Sequence, residues 1–275
     1  MRYLLIIITT LIWVSPAQAD FFPYYKPTDT IVILGAVPQE IPVIVEQLKE
    51  RKKASLWGTP YYTGKLHGKS VVVAITGIGE TFTAMTTTQF VMHFKPRLVV
   101  MSGTAARINQ SLRTGDVIVA TSAFEHDYGS LTADGMVFFP LTGPVDGNEV
   151  KNDFRPPEEY LKLADKAIAS YPAQTITANG STYTNKVRRG KLASSNLFGV
   201  PGRRIKQLRE KFHVDLMESE SAPLGLVCEN FGVPYLVVRA GSNLAQPVPN
   251  DDYLRLGPIA AREAAKFTAY MIQYL

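Results

Sequence analysis

Five short apolar runs rich in β-branched residues set the frame within which this chain can fold: Ile31–Gly35, Ser70–Gly77, Arg97–Gly103, Val117–Thr121 and Pro234–Arg239. Strands buried on both faces read as continuous apolar runs, and helical patterns between them predict an α/β sandwich with a largely parallel sheet. Leu224, Val227, Cys228 and Phe231 fall at helical spacing, with Pro223 in the first turn and Gly232 at the stop. Ala260, Ala264, Phe267, Met271 and Leu275 form a second stripe on a C-terminal helix that should pack on the sheet.

The N-terminus carries a different signal. Arg2 supplies a positive charge, Leu4 to Val14 form an apolar run interrupted by Thr9 and Thr10, and Ala17-Gln18-Ala19 closes it. This is the pattern of a secretory signal peptide over residues 1–19, too short to span a bilayer, with cleavage before Asp20 and a periplasmic or secreted product. Residues 20–275 then form a single domain, with no later stretch apolar enough to cross a membrane. Cys228 is the sole cysteine, so no intrachain disulfide is available, and its helical position predicts a buried small hydrophobe. The net charge of +5 is spread over the chain apart from short clusters at Lys186–Arg189 and Arg203–Lys206. Such clusters read as solvated faces, so nucleic acid is not an expected partner. His67, His93, His126 and His213 lack ligand spacing, and neither a metal nor another cofactor is expected.

Between Glu125 and Pro157 the periodicity dissolves into Gly, Pro, Asp and Asn around the pair Phe138-Phe139. A functional loop is expected there, with Phe138-Phe139-Pro140 either a subunit contact or a buried anchor. Glycines follow the ends of several strands, at Gly35-Ala36, Gly77-Ile78-Gly79 and Gly103-Thr104. Together they mark one rim of the sheet as the binding edge, because ligands of open α/β sheets sit beyond the carboxyl ends of strands.

Several segments resemble the purine nucleoside phosphorylase and nucleosidase superfamily, and most of all its methylthioadenosine and S-adenosylhomocysteine nucleosidases. They are Gly35-Ala36-Val37-Pro38-Gln39-Glu40-Ile41, Thr76-Gly77-Ile78-Gly79, Val99 to Ala106 followed by Gly115-Asp116-Val117, and His126-Asp127. The block from Glu218-Ser219-Glu220 through Val227 to Pro234 and on to Arg239-Ala240-Gly241-Ser242-Asn243 is the most specific. The resemblance implies a three-layer α/β/α sandwich with a central mixed, largely parallel sheet, a nucleoside as ligand and a homo-oligomer.

Cleavage of an N-ribosidic bond creates an oxocarbenium-like sugar and an electron-rich leaving base, so a site must serve both. By the resemblance Glu40 activates water, with Thr76 and Arg239 positioning the water and the sugar, while Gly77 and Gly103 lie in the turns at the rim. Glu220 accepts hydrogen bonds from ribose hydroxyls, assisted by Glu218, and Ser219 stands where these nucleosidases usually carry Met. Tyr183 stacks on the base, beside Ser242 and Asn243. The phosphorylases place arginines in the first glycine turn and before the central glycine; here Val37-Pro38-Gln39 and Met101 occupy those places, which favours water over phosphate.

Asn243 departs from the adenine-directed nucleosidases, which carry a proton-donating Asp there. An amide hydrogen-bonds but supplies no proton, and loss of an acid costs ~10²–10⁴-fold. Three readings follow: a nucleosidase directed at 6-oxopurines, a slow adenine nucleosidase, or a nucleoside-binding protein without turnover.

Overall fold

Ile31 to Leu34 are fully buried on both faces, which makes their strand the interior of a sheet and not its edge. The computed structural model describes residues 25–133, 135–143, 149–247 and 251–275; the leader expected over residues 1–19 lies outside them. In chain order the strands are β1 (Ile31–Gly35), β2 (Lys49–Leu56), β3 (Thr59–Leu66), β4 (Lys69–Ile75), β5 (Leu98–Arg107), β6 (Val117–Glu125), β7 (Gly129–Thr132), β8 (Gly135–Phe138), β9 (Leu141–Thr142), β10 (Glu149–Val150), β11 (Thr175–Ala178), β12 (Ser181–Thr184), β13 (Val187–Ser194), β14 (Leu216–Glu218) and β15 (Tyr235–Leu244). The helices are α1 (Pro42–Glu46), α2 (Glu80–Phe94), α3 (Glu158–Ser170), α4 (Gly202–Glu210), α5 (Ser221–Phe231) and α6 (Asp252–Met271).

Nine strands form one mixed sheet in the order β14-β13-β6-β15-β5-β1-β4-β3-β2. β1 pairs in parallel with β4 and β5, and β5 with β15, whereas β2, β3 and β4 form an antiparallel meander. β14 also pairs with the far end of β5, at Leu216 with Arg107 and Met217 with Ala106, so β5, β15, β6, β13 and β14 close into a ring. The expected α/β/α layering is present. Ile31 and Ile33 pack against apolar residues of α1, α3 and α6. Val32 and Leu34 face Phe90 of α2 and Leu224 and Cys228 of α5. Full burial of each such side chain contributes roughly 1.5–3 kcal/mol before entropic costs.

The late helices follow their sequence pattern. Gly232 ends α5 in the left-handed region at φ 66°, its N–H reaching the Cys228 and Glu229 carbonyls. Cys228 is fully buried, and burial pushes its thiol well above the usual range. The segment read as a loop between Glu125 and Pro157 instead contains the β7–β8 hairpin and the β9–β10 pair. Phe138 packs edge-on against Phe124 and Phe212, while Phe139 is exposed.

Candidate active site

Glu40 lies in a short 3₁₀ turn at Pro38–Glu40, directly after β1, and is buried with its carboxylate folded back over the strand end. Oε2 accepts the Ala36 N–H at 2.6 Å and the Val37 N–H at 3.2 Å. Oε1 accepts the Thr104 N–H at 2.8 Å and its hydroxyl at 3.1 Å. Four donors on one carboxylate fix its direction. Gly103 is needed for this approach: a Cβ there would sit 2.6 Å from Glu40 Oε1 and overlap the Arg239 guanidinium.

Arg239, on β15, is fully buried behind Gly103. Its Nη2 donates to Glu218 Oε2 at 2.6 Å and to Glu220 Oε2 at 2.9 Å. Glu218 also accepts the Ser194 hydroxyl at 2.6 Å and the backbone N–H groups of Glu220 and Ser221. Glu220 Oε1 accepts the Gly79 N–H at 2.9 Å, which brings the second glycine turn to this carboxylate. Burial raises the Glu220 pKa above the ordinary carboxylate range; Arg239 opposes this and Glu218 adds to it. Each Glu220 oxygen keeps a lone pair for a vicinal diol.

These groups face one cavity of about 490 Å³, in the range of small-molecule sites. Glu40, Glu218, Ser219 and Glu220 line it, as do Ser242 and Asn243. The Ser242 hydroxyl donates to the Ala105 carbonyl at 3.1 Å and to Asn243 Oδ1 at 3.0 Å, orienting the amide. Among the described lining residues none is Arg or Lys. Arg107 is turned away, holding the Leu112 carbonyl at 2.7 Å.

Five residues read from the sequence do not line the cavity: Gly103 and Arg239 back the carboxylates, and Tyr183, Thr76 and Gly77 are placed as follows. Tyr183 does not line the cavity: its hydroxyl donates to the Thr114 carbonyl at 2.8 Å, and Arg113 lies over its ring at 4.1 Å. The cause is local. Asn179 and Gly180, at φ 51° and 72°, make a tight turn that folds β12 back on β11 and turns the ring onto Ile176 and Leu256. Thr76 is buried and donates to the Gly77 carbonyl at 2.7 Å and the Gly35 carbonyl at 3.3 Å, so Thr104 supplies the hydroxyl beside Glu40. Gly77 turns the chain at φ 89°, and its neighbour Ile78 lines the cavity.

The aromatic residues that do line the cavity are Phe198 and Tyr253. Phe198 follows β13, whose end at Ser194-Ser195 presents small residues at the rim like the other strands. That was the available signal, obscured by the charges Arg188, Arg189 and Lys191 earlier in the strand. The Tyr253 hydroxyl lies 3.4 Å from both Gln39 Nε2 and Thr104 Oγ1.

The mixed sheet between two helical layers is a nucleoside phosphorylase-like α/β fold, and comparison with known proteins gives the family. Residues 30–273 match the family model described as the phosphorylase superfamily, and the chain belongs to that family. It is 30% identical over 246 residues to the 5′-methylthioadenosine/S-adenosylhomocysteine nucleosidase of Actinobacillus succinogenes, covering 89% of this chain and 99% of that one. The nucleosidase of the same kind from Neisseria meningitidis, solved with methylthio-immucillin-A, superposes with a TM-score of 0.76 at 25% identity, covering 90% of this chain and all of that one. Futalosine hydrolase of Helicobacter pylori gives 0.75 at 27% identity, over 90% and 98% of the two chains. These relatives are N-ribosyl hydrolases.

Proposed function

We propose that this protein hydrolyses the N-ribosidic bond of a purine nucleoside outside the cytoplasm. One observation carries the reading: Glu40 and the Arg239-held pair Glu218 and Glu220 face a single cavity whose described lining offers carboxylates and no free cation. Phosphate entering it would meet like charge, whereas water is suited to Glu40.

The Thr104 hydroxyl gives up its place on Oε1, and Glu40 takes a proton there from water as the water oxygen attacks the anomeric carbon. The bond to the purine nitrogen breaks with its electron pair leaving on the base. Glu220 holds the ribose hydroxyls, Phe198 stacks on the base, and Asn243 hydrogen-bonds the purine edge. The departing base takes its proton from solvent, since Asn243 has none to give.

Export is supported by Arg2, the apolar run from Leu4 and Ala17-Gln18-Ala19. A homo-oligomer is supported by the exposed apolar side chains Ile78, Phe82, Leu197, Phe198 and Leu254 near the cavity mouth. Incubating the purified mature protein with adenosine, inosine, guanosine and methylthioadenosine, with and without phosphate, tests the activity. Free purine and the free sugar, ribose or from methylthioadenosine methylthioribose, are expected without phosphate. Absence of free base from all four substrates, with nucleoside bound intact, would establish the binding-protein reading that Asn243 allows.

A further inference from the structure

A second cavity, of about 540 Å³, opens on the other side of Leu197, between the β7–β8 hairpin and α4. Leu131, Met136 and Val200 make its walls apolar, and His126, Asp127 and Arg204 form a polar end. Arg204 is only 8% exposed. Its guanidinium lies 4.5 Å from the centre of the Phe138 ring, donates to Gln207 Oε1 at 2.9 Å and meets His126 Nδ1 at 3.2 Å.

Neither hydrogen-bond partner carries charge, and among the described residues Arg204 forms no ion pair with a carboxylate. Asp127 supplies the opposing charge at longer range, and its carboxylate already accepts the Asn196 N–H at 3.1 Å. A guanidinium has no acceptor, so His126 must accept at Nδ1 and carry its proton on Nε2, which is buried without a partner. Donors therefore outnumber acceptors at this end, around a cation that burial penalises.

We propose that this cavity is a second ligand site, for a small organic monoanion whose carboxylate pairs with Arg204 and whose flat apolar body lies between Leu131, Met136 and Val200. Guanidinium matches a carboxylate in a bidentate pair, which the buried position strengthens. Arg203 also lines the cavity but is exposed and donates Nη1 to the Ala133 carbonyl at 2.9 Å, so Arg204 is the one buried cation there and, with Asp127 nearby, suits one negative charge better than the two of a phosphate monoester. The site uses none of Glu40, Glu218 or Glu220, so it stands apart from the nucleosidase reading.

Calorimetric titration of the full protein with benzoate, its neutral isostere benzamide and phenyl phosphate tests the assignment without reading nucleoside cleavage. Benzoate should bind at least about tenfold more tightly than either other probe, the worth of one charge-assisted pair. Arg204→Met, which keeps an apolar stem over Phe138, should lose that advantage. Leu131→Glu, at a side chain 75% exposed, should weaken benzoate alone and leave the melting temperature unchanged even if the Arg204 variant fails to fold. Equal affinity for benzoate and benzamide, tighter binding of phenyl phosphate, or benzoate binding indifferent to these substitutions would overturn the proposal. So would no benzoate binding at all, including the case in which a second copy of the chain fills the cavity.

Discussion

The Thr104 backbone N–H donates to Glu40 Oε1 at 2.8 Å, so the carboxylate proposed to activate water hangs from the strand at the middle of the sheet. Glu40→Gln should lower the rate of base release by ~10²–10⁴-fold with little change in KM. It should also destabilise the fold by about 1–3 kcal/mol, because an amide nitrogen would face one of the donors that now meet the carboxylate. Single-turnover purine release and urea unfolding measure the two effects.

Arg239 is the shared partner of two buried carboxylates, Glu218 and Glu220. Arg239→Met leaves both without their cation and should cost roughly 3–5 kcal/mol. Chemical denaturation would register this as a lower midpoint, and Arg239→Lys should recover part of it.

The pH profile should carry the mark of Glu220. Its pKa is raised, by burial first, so the carboxylate proposed to grip ribose gains its proton at a higher pH than an exposed glutamate. The acid limb of kcat/KM should therefore be displaced from the usual carboxylate region toward neutrality, activity falling as pH falls. Glu220→Gln should remove that limb from the residual activity.

Asn243→Asp restores a proton donor at the base. Cleavage of methylthioadenosine should rise by ~10²–10⁴-fold and cleavage of inosine should not. Comparing initial rates on the two substrates at one pH reads the difference directly. Equal rates before and after the substitution would mean that protonation of the base was never limiting.

His126 links stability to pH. Its folded pKa is lowered to about 3, by burial first and then by Arg204, against an unfolded value of about 6.5. Below 6.5 the unfolded chain binds the proton that the folded chain refuses, so stability falls as pH falls toward 3. The slope is roughly 1.4 kcal/mol per pH unit within that window. Urea midpoints at pH 6.5 and 5.0 should differ less in His126→Gln than in the unsubstituted protein.

The sequence was most readable where both faces of a strand are covered. β1 ends where its apolar run ends, because every residue in it is buried. β2, with Lys49, Arg51, Lys52 and Lys53, escaped notice because it is an exposed outer strand whose charges protect the sheet edge. β13 was hidden for a related reason: Arg188 and Arg189 pair with Asp215, Glu158 and Asp165, so its composition is polar though the strand lies inside the sheet. Glu40 and Asn243 could be placed because each lies close to the end of a strand of the readable type, whereas Glu218 and Glu220, at the end of the short β14, were placed by their motif alone. Tyr183 misled because its motif sits on a hairpin whose direction is set by the Asn179-Gly180 turn, and spacing along the chain carries no record of that direction.

β15 loses register with β5 between Gly241 and Leu244, so Ser242 and Asn243 belong to no ladder on that side. Arg239, three residues earlier, is paired in register with Gly103 inside the closed ring. On the proposed roles, the grip on the sugar is thus part of the chassis, while the group that would read the base is an exchangeable fitting. Substitutions at Asn243 should then alter the preference among purines and leave intact the strand pairing that carries Arg239.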